Sequence, residues 1–170
     1  ARGETFVVMG LSGSGKSTLI RMINGLWSPS EGTVEVAGKV VSDMNDAQLR
    51  ELRRDHVSMV FQHFALLPHL TVRENAAYGL KLQGKLKQKE RLEKANEWLH
   101  TVGLNGWGDK YPHQLSGGMQ QRVGLARALA AETDILLMDE AFSALDPLIR
   151  REMQDQLLEL QGTLNKTIIF

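Results

Sequence analysis

A glycine-rich loop near the start of the chain is the feature that most limits its possible folds. Residues 10–17 read Gly-Leu-Ser-Gly-Ser-Gly-Lys-Ser, which fits the pattern G-x-x-x-x-G-K-[ST] without a mismatch. A β-rich run at 5–9 precedes the loop, and apolar residues at helical spacing follow it, at Leu19, Ile20, Met22, Ile23 and Leu26. A phosphate-binding loop requires this order of strand, loop and helix. The sequence therefore predicts nucleotide binding.

The loop has the residue types that hold phosphate groups. Glycines allow the backbone to curl so that successive N–H groups point at one anion, and the helix that follows adds its positive N-terminal end. The lysine supplies a point charge for the β- and γ-phosphates, and the last serine offers a hydroxyl to Mg²⁺. The candidate contacts are Gly10, Ser12, Gly13, Ser14, Gly15, Lys16 and Ser17.

Two acids follow a second apolar run, at 135–138. Open α/β sheets bind ligands at the carboxyl ends of their strands. Asp139 can hold Mg²⁺ through water there, and Glu140 can accept a proton from an attacking water as general base. A strand that merely ends in an acidic turn is the alternative, and the phosphate loop upstream favours the catalytic interpretation.

The remaining patterns predict an α/β fold with a mostly parallel sheet, a small antiparallel β element and an inserted α-helical segment at 65–113. The predicted strands lie at 5–9, 57–61, 134–139 and from 166 to 170, with a hairpin at 33–41. The predicted helices lie at 46–54, from a capping box at Thr71, at 85–100, from Ser116 to about 130, and from Asp146 to about 160.

Composition excludes several function classes. Lys plus Arg and Asp plus Glu each number 20, so no net basic charge attracts nucleic acid, and we expect no nucleic-acid partner. Cysteine is absent, which excludes disulfides and thiolate chemistry. No apolar run approaches the about 20 residues that a membrane helix needs. A role at a membrane is therefore expected from the aqueous side, through a partner.

Three further motifs resemble those of the ATP-binding-cassette (ABC) ATPases. Residues 115–122, Leu-Ser-Gly-Gly-Met-Gln-Gln-Arg, resemble the family's signature motif, although Met119 stands where the wider family has glutamine. The segment 60–62 resembles its Q-loop, and 143–146 resembles its D-loop. With the phosphate loop, the motifs follow the family's order, and the resemblance covers essentially the whole chain.

The resemblance can be narrowed within the family. Residues 9–15, 61–69 and 141–155 are similar to the ATPase subunit of glycine betaine/L-proline importers. Importers for choline, trimethylamine N-oxide or histidine share much of this pattern and remain alternatives. A non-transport ABC ATPase is a further alternative. It is disfavoured because the short segment between Gln62 and Leu115 leaves no room for a long coiled-coil insertion.

The resemblance implies a mechanism in which two such subunits hold two ATP molecules head to tail. Each ATP lies on residues 10–18, including Thr18, and the partner's Ser116, Gly117 and Gly118 cover the γ-phosphate. Gln62 contacts Mg²⁺ or the attacking water, and Asp146 contacts the opposing chain. By itself, a serine before two glycines is also typical of an ordinary helix cap.

The resemblance also implies the organisation and partners. Residues 1–170 form one partial nucleotide-binding domain, with a catalytic core at 1–64 and 114–170 and a helical subdomain at 65–113. The helical subdomain docks on a transmembrane permease, which places the ATPase on the cytoplasmic face of the cell membrane. A periplasmic or extracellular solute-binding protein takes part indirectly, and the expected role is osmoprotection.

Both ends of the chain lie beside or within predicted strands, so we expect it to be truncated at both ends. The resemblance implies that the family's adenine-stacking aromatic residue and its switch histidine fall outside residues 1–170. We therefore expect weakened ATP affinity and poor hydrolysis from the isolated chain.

Overall fold

The protein consists of one parallel sheet, a small antiparallel pair of strands and seven α-helices over the part of the chain that the structure describes. The structure is a computed structural model that describes residues 3–61, 64–142, 145–164 and 166–170. The strands are β1 (Thr5–Phe6), β2 (Glu35–Val36), β3 (Lys39–Val40), β4 (Val57–Val60), β5 (Ile135–Met138) and β6 (Thr167–Ile169). The helices are α1 (Lys16–Ile23), α2 (Asp46–Asp55), α3 (Val72–Ala76), α4 (Tyr78–Gln83), α5 (Gln88–Thr101), α6 (Gly117–Ala130) and α7 (Pro147–Leu164).

The order of the strands determines which loops meet. The four-stranded sheet has the order β1-β6-β5-β4, and every neighbouring pair in it is parallel. The carboxyl ends of β1, β4 and β5 therefore lie along one edge of the sheet. The segments after these three strands are the glycine-rich loop, the predicted Q-loop and the pair Asp139-Glu140.

Helices cover both faces of the sheet. Alternate residues of each strand point to opposite faces, so neighbouring residues of one strand join different apolar clusters. Leu137 belongs to an apolar cluster with Ile20 of α1 and Leu52 of α2. Its neighbours Leu136 and Met138 belong to a second cluster, which includes much of α6 and the helices before it. This burial on two sides explains the uninterrupted apolar run of β5.

Helix α6 packs between the helical segment and the sheet. This helix packs on α3, α5 and β4, and eight of its residues are buried. The chain before α3 is held by the buried Asn75, whose amide donates to the carbonyls of Leu67, Leu70 and Thr71 at 3.0–3.1 Å. The division of the chain into a catalytic core at 1–64 and 114–170 and a helical subdomain at 65–113 stays a prediction.

The predicted fold class is confirmed, and the antiparallel pair lies where the hairpin was expected. The differences concern the ends of elements. The first strand ends at Phe6 rather than residue 9, although the Val8 N–H still donates to the Phe170 carbonyl at 2.7 Å. The helix expected from residue 85 begins at Gln88, because Gly84 ends α4 in a left-handed conformation. The last helix continues to Leu164.

The N-terminus of α3 gives a pH-dependent prediction. Thr71 and Glu74 form a capping box, in which the Glu74 carboxylate accepts from the Thr71 N–H at 2.8 Å. That backbone hydrogen bond, helped by the Thr71 hydroxyl, lowers the pKa of Glu74 below its usual value of 4.5. A carboxylate with a lowered pKa stabilises the fold above its unfolded pKa and loses this contribution as pH falls through the folded one.

We expect Glu74→Gln to be less stable than the unmodified chain near pH 6, and the difference to shrink as pH falls to about 3. Thermal unfolding midpoints measured across this range test the prediction. Glu97→Gln is the matched control, because Glu97 is exposed in the middle of α5 and its carboxylate caps no helix. A difference that stays constant with pH would contradict the assigned role of the carboxylate.

No helix in residues 3–61, 64–142, 145–164 and 166–170 is long and apolar enough to cross a membrane.

Candidate functional site

The glycine-rich loop connects β1 to α1 and leaves the N-terminus of that helix open. Gly13 and Gly15 have φ values of +79° and +90°, a region that L side chains rarely adopt. A Cβ at Gly10 would lie 2.4 Å from Ser14 Oγ, so a larger residue there would displace the Ser14 side chain. No acidic residue occupies the first turn of α1, and Gly15 supplies no side-chain cap. The unpaired N–H groups of this turn can therefore receive an anion.

Lys16, at the first position of α1, is surrounded by the loop. Its Nζ donates to the carbonyl oxygens of Gly10 at 2.8 Å and Leu11 at 2.9 Å. The loop thus curls around the ammonium group of its own lysine. Ser17 and Thr18 follow on the same first turn and are half-buried, while Ser12 and Ser14 are exposed on the loop.

Asp139 and Glu140 follow β5 and lie beside the lysine. Together with Val8 and Phe170, these two acids and Lys16 line one pocket. Asp139 is only 1% exposed, whereas Glu140 is exposed and has a φ of +49°. Acid and base groups predicted from two distant motifs are therefore brought to the same place at the carboxyl edge of the sheet.

Arg21 is a site residue that the sequence interpretation missed. It lies on α1 and forms an ion pair with Asp139, with Nη2 2.9 Å and Nε 3.2 Å from Oδ2. The two residues are 118 positions apart, and no local pattern links them. Only the packing of α1 against the sheet could have revealed the pair.

The signature residues form a second pocket. Ser116 caps α6, with its Oγ accepting from the Met119 N–H at 3.3 Å. A Cβ at Gly118 would lie 3.1 Å from a methyl group of Leu145, so the backbone of α6 approaches the D-loop closely. Ser116, Gly118 and Asp146 line the same pocket, with Trp107 and Arg122. Gly117 follows Ser116 directly as the first residue of α6 and is exposed.

Asp146 has a structural role that the sequence predicted. Its Oδ1 accepts from the N–H groups of Leu148 and Ile149, both at 3.1 Å, and so caps α7. The pocket that contains it shares no lining residue with the pocket around Lys16. Within one chain, the two groups of predicted nucleotide contacts are therefore separate.

The segment after β4 is held by a half-buried cation. Gln62, predicted to contact Mg²⁺ or the attacking water, lies outside the described residues. Two and three residues further along, Phe64 and Ala65 have φ values of +55° and +46°. Arg127 of α6 donates to both of their carbonyls, at 3.0 and 2.7 Å. Burial lowers the pKa of the Arg127 guanidinium.

Comparisons with known proteins agree with this geometry. The profile of a family described as ABC transporter matches residues 1–143. The chain is 63% identical over 168 residues to the glycine betaine transport ATP-binding protein OpuAA of Bacillus subtilis, covering 99% of this chain and 40% of that protein. It is 58% identical over 168 residues to the glycine betaine/proline betaine transport system ATP-binding protein ProV of Escherichia coli, covering 99% of this chain and 42% of that protein.

A solved structure shares the fold. The dimeric ATP-binding cassette MJ0796, in a post-hydrolysis state bound to ADP and Pi, superposes with a TM-score of 0.93 at 38% identity. The match covers 99% of this chain and 74% of that one. The chain spans about two fifths of the length of the transport proteins OpuAA and ProV. The expected phosphate-loop fold is confirmed, and the chain belongs to the ABC transporter family.

Proposed function

We propose that the chain is the ATP-binding and ATP-hydrolysing domain of an importer's motor subunit. The observation that carries the proposal is the single pocket shared by Lys16, Asp139 and Glu140. A phosphate-binding cation, a buried carboxylate and an exposed carboxylate are the groups that hydrolysis of a nucleoside triphosphate needs together.

The phosphates are assigned to the glycine-rich loop. The backbone N–H groups of residues 10–15 and of the first turn of α1 surround the anion, with Ser12, Ser14 and Thr18 as further polar contacts. Lys16 Nζ then exchanges the carbonyls of Gly10 and Leu11 for phosphate oxygens. The ammonium donates in both states, but phosphate oxygens carry negative charge and carbonyl oxygens do not, so the attraction between opposite charges favours the exchange.

The residues present also fit Mg²⁺. Asp139 is buried, and both of its hydrogen bonds from Arg21 go to one oxygen, Oδ2. The residues 3–61, 64–142, 145–164 and 166–170 contain no cluster of three or more His, Cys, Asp or Glu that could hold a metal alone. This suits an ion that is held by few protein oxygens and by substrate phosphates. Ser17, Asp139 and Gln62 are the proposed ligands or water contacts, and the ion would neutralise charge on the phosphates.

Hydrolysis is assigned to Glu140 as general base, with Gln62 orienting the attacking water. An exposed carboxylate at the pocket can take the proton of a water as it attacks the γ-phosphate. The protein then contributes position and charge rather than covalent chemistry.

A second copy of the chain is proposed to complete each site. Ser116, Gly117 and Gly118 offer a hydroxyl and helix N-terminal amides to an anion. Ser116 and Gly118 line a pocket apart from Lys16. A head-to-tail dimer brings this pocket of one chain to the γ-phosphate held by the other, and places Asp146 at the interface. The dimer named for MJ0796 supports this arrangement.

The remaining partners follow from the transport role. We propose that the helical segment 65–113 docks on a transmembrane permease at the cytoplasmic face of the membrane, and that a solute-binding protein outside the membrane takes part indirectly. Dimer closure with ATP then performs mechanical work on the permease, and hydrolysis with product release reopens the dimer.

Glycine betaine or a related osmolyte is the proposed solute. The names of OpuAA and ProV, which include glycine betaine, support it. An importer for choline, trimethylamine N-oxide or histidine is the alternative, since solute contacts lie on other subunits.

The solute can be tested by uptake. We expect cells that express the full-length subunit with its permease and binding protein, in a background without other betaine importers, to accumulate labelled glycine betaine. Unlabelled proline betaine should compete, and cells carrying Lys16→Ala should not accumulate the label. Uptake of trimethylamine N-oxide without glycine betaine would favour the alternative.

A further inference from the structure

The ion pair between Arg21 and Asp139 has a one-sided geometry. Arg21 Nη2 and Nε lie 2.9 and 3.2 Å from the same oxygen, Oδ2. Within the described part of the chain, no donor contacts the other oxygen, Oδ1. Oδ1 is also not a fully buried atom without a partner, so it keeps some contact with solvent. Arg21 therefore occupies one side of the carboxylate and leaves the other available.

The available oxygen belongs to a residue of the catalytic pocket. Asp139 lines that pocket with Lys16 and Glu140, although it is only 1% exposed. A buried carboxylate without a partner is strongly unfavourable, so the position of Asp139 depends on its cation. The direction of Oδ1 thus depends on where Arg21 is held.

The residues that follow α1 hold Arg21 in place. The chain turns sharply after α1, where the N–H groups of Leu26 and Trp27 donate to the Arg21 carbonyl at 2.9 and 3.2 Å. This turn places the Trp27 ring over the guanidinium, with 5.9 Å between Cζ and the ring centroid. A cation held on an aromatic face and fixed to one carboxylate oxygen has little freedom to rotate.

We propose that Arg21 is a positioning residue that orients Asp139, so that Oδ1 receives the water shell of Mg²⁺ while Oδ2 stays bound to the guanidinium. This inference rests on the proposed function. Arg21 does not touch the nucleotide or the metal, and it acts only through Asp139. Its removal should therefore weaken the metal's contribution to binding and leave metal-free binding of the nucleotide unchanged.

The test compares nucleotide affinity with and without the metal. The dissociation constant of the non-hydrolysable analogue AMP-PNP is measured in EDTA and in excess Mg²⁺, and the ratio of the two constants is the Mg²⁺ enhancement. In Arg21→Met we expect this enhancement to fall about 10-fold, the lower end of the effect of outer-shell partners on metal sites. The dissociation constant in EDTA should stay within about twofold.

Two variants keep the test decisive. Arg21→Lys retains the charge but lacks the planar pair of donors, and it should give an intermediate enhancement. If Arg21→Met does not fold, Arg21→Lys decides the question. Arg50→Met is the control, because Arg50 is an exposed arginine on α2, and its enhancement should equal that of the unmodified chain.

Three outcomes overturn the inference. An unchanged enhancement in folded Arg21→Met shows that the ion pair only supports the fold. A larger enhancement shows that Arg21 competes with the metal rather than positioning its ligand. Absence of AMP-PNP binding by the unmodified full-length subunit in both conditions overturns the proposed function, and this inference falls with it.

Discussion

Glu140→Gln is expected to reduce ATP turnover about 10²- to 10⁴-fold, with ATP affinity nearly unchanged. Glu140 lines the pocket with Lys16 and Asp139, and an amide of the same shape cannot accept the proton of the attacking water. Because the phosphates are assigned to the glycine-rich loop, binding does not depend on this carboxylate. ATP-bound dimers should therefore accumulate in the variant.

The measurement is phosphate release at saturating Mg-ATP in the full-length subunit, beside calorimetry for binding. Glu132→Gln is a matched control, because Glu132 also has a positive φ, +51°, and stands before β5 rather than after it. Its ion pair with Lys94, at 2.7 Å, lies at the exposed surface away from the pocket residues. Normal turnover in Glu140→Gln would refute the general-base assignment, and lost binding would make Glu140 a binding residue instead.

Lys16→Ala is expected to weaken Mg-ATP binding by at least about 100-fold, since the ammonium is proposed to make two charged hydrogen bonds to phosphate and each contributes about 1.5–3 kcal/mol. The ammonium also bonds the carbonyls of Gly10 and Leu11, so the loop loses the group around which it curls. Calorimetry with the chain measures the effect. Lys39→Ala, which removes an exposed lysine of the small hairpin, should bind as the unmodified chain does. Equal affinities in the two variants would contradict the phosphate assignment.

Mixing two variants tests the proposed dimer. Lys16→Ala lacks the loop contact, Ser116→Ala lacks the signature hydroxyl, and each alone should form few Mg-ATP-dependent dimers. A mixed head-to-tail dimer contains one site in which both groups are intact. Sedimentation should therefore detect more dimer in the mixture than in either variant alone. A mixture that forms no more dimer than its components would contradict the composite site.

The sequence predicted the fold class because its signals are local. The glycine-rich loop, the apolar run of β5 and the caps at Thr71, Ser116 and Asp146 each specify their own conformation, and each lies where it was expected. The end of β1 and the start of α5 were misplaced, since these depend on pairing and on the left-handed Gly84 rather than on periodicity.

The candidate site was predictable to the extent that motifs carry it. Lys16, Asp139 and Glu140 come from two motifs, and the topology of a parallel sheet brings them together. Arg21 and Arg127 were not found, because each acts on residues far away in the sequence and an arginine on a helix carries no signal of its own. Long-range pairing of this kind depends on how α1 and α6 pack.

Helix α6 has a mechanical consequence that follows from its two ends. Ser116 precedes its first turn, and Arg127 lies about 16 Å further along the axis. Arg127 donates hydrogen bonds to the carbonyls of Phe64 and Ala65. A helix of this length transmits a push without bending, since its hydrogen bonds are internal and most of one side is packed. If a partner's nucleotide displaced Ser116, α6 would therefore move as a rigid body and shift the segment that follows Gln62.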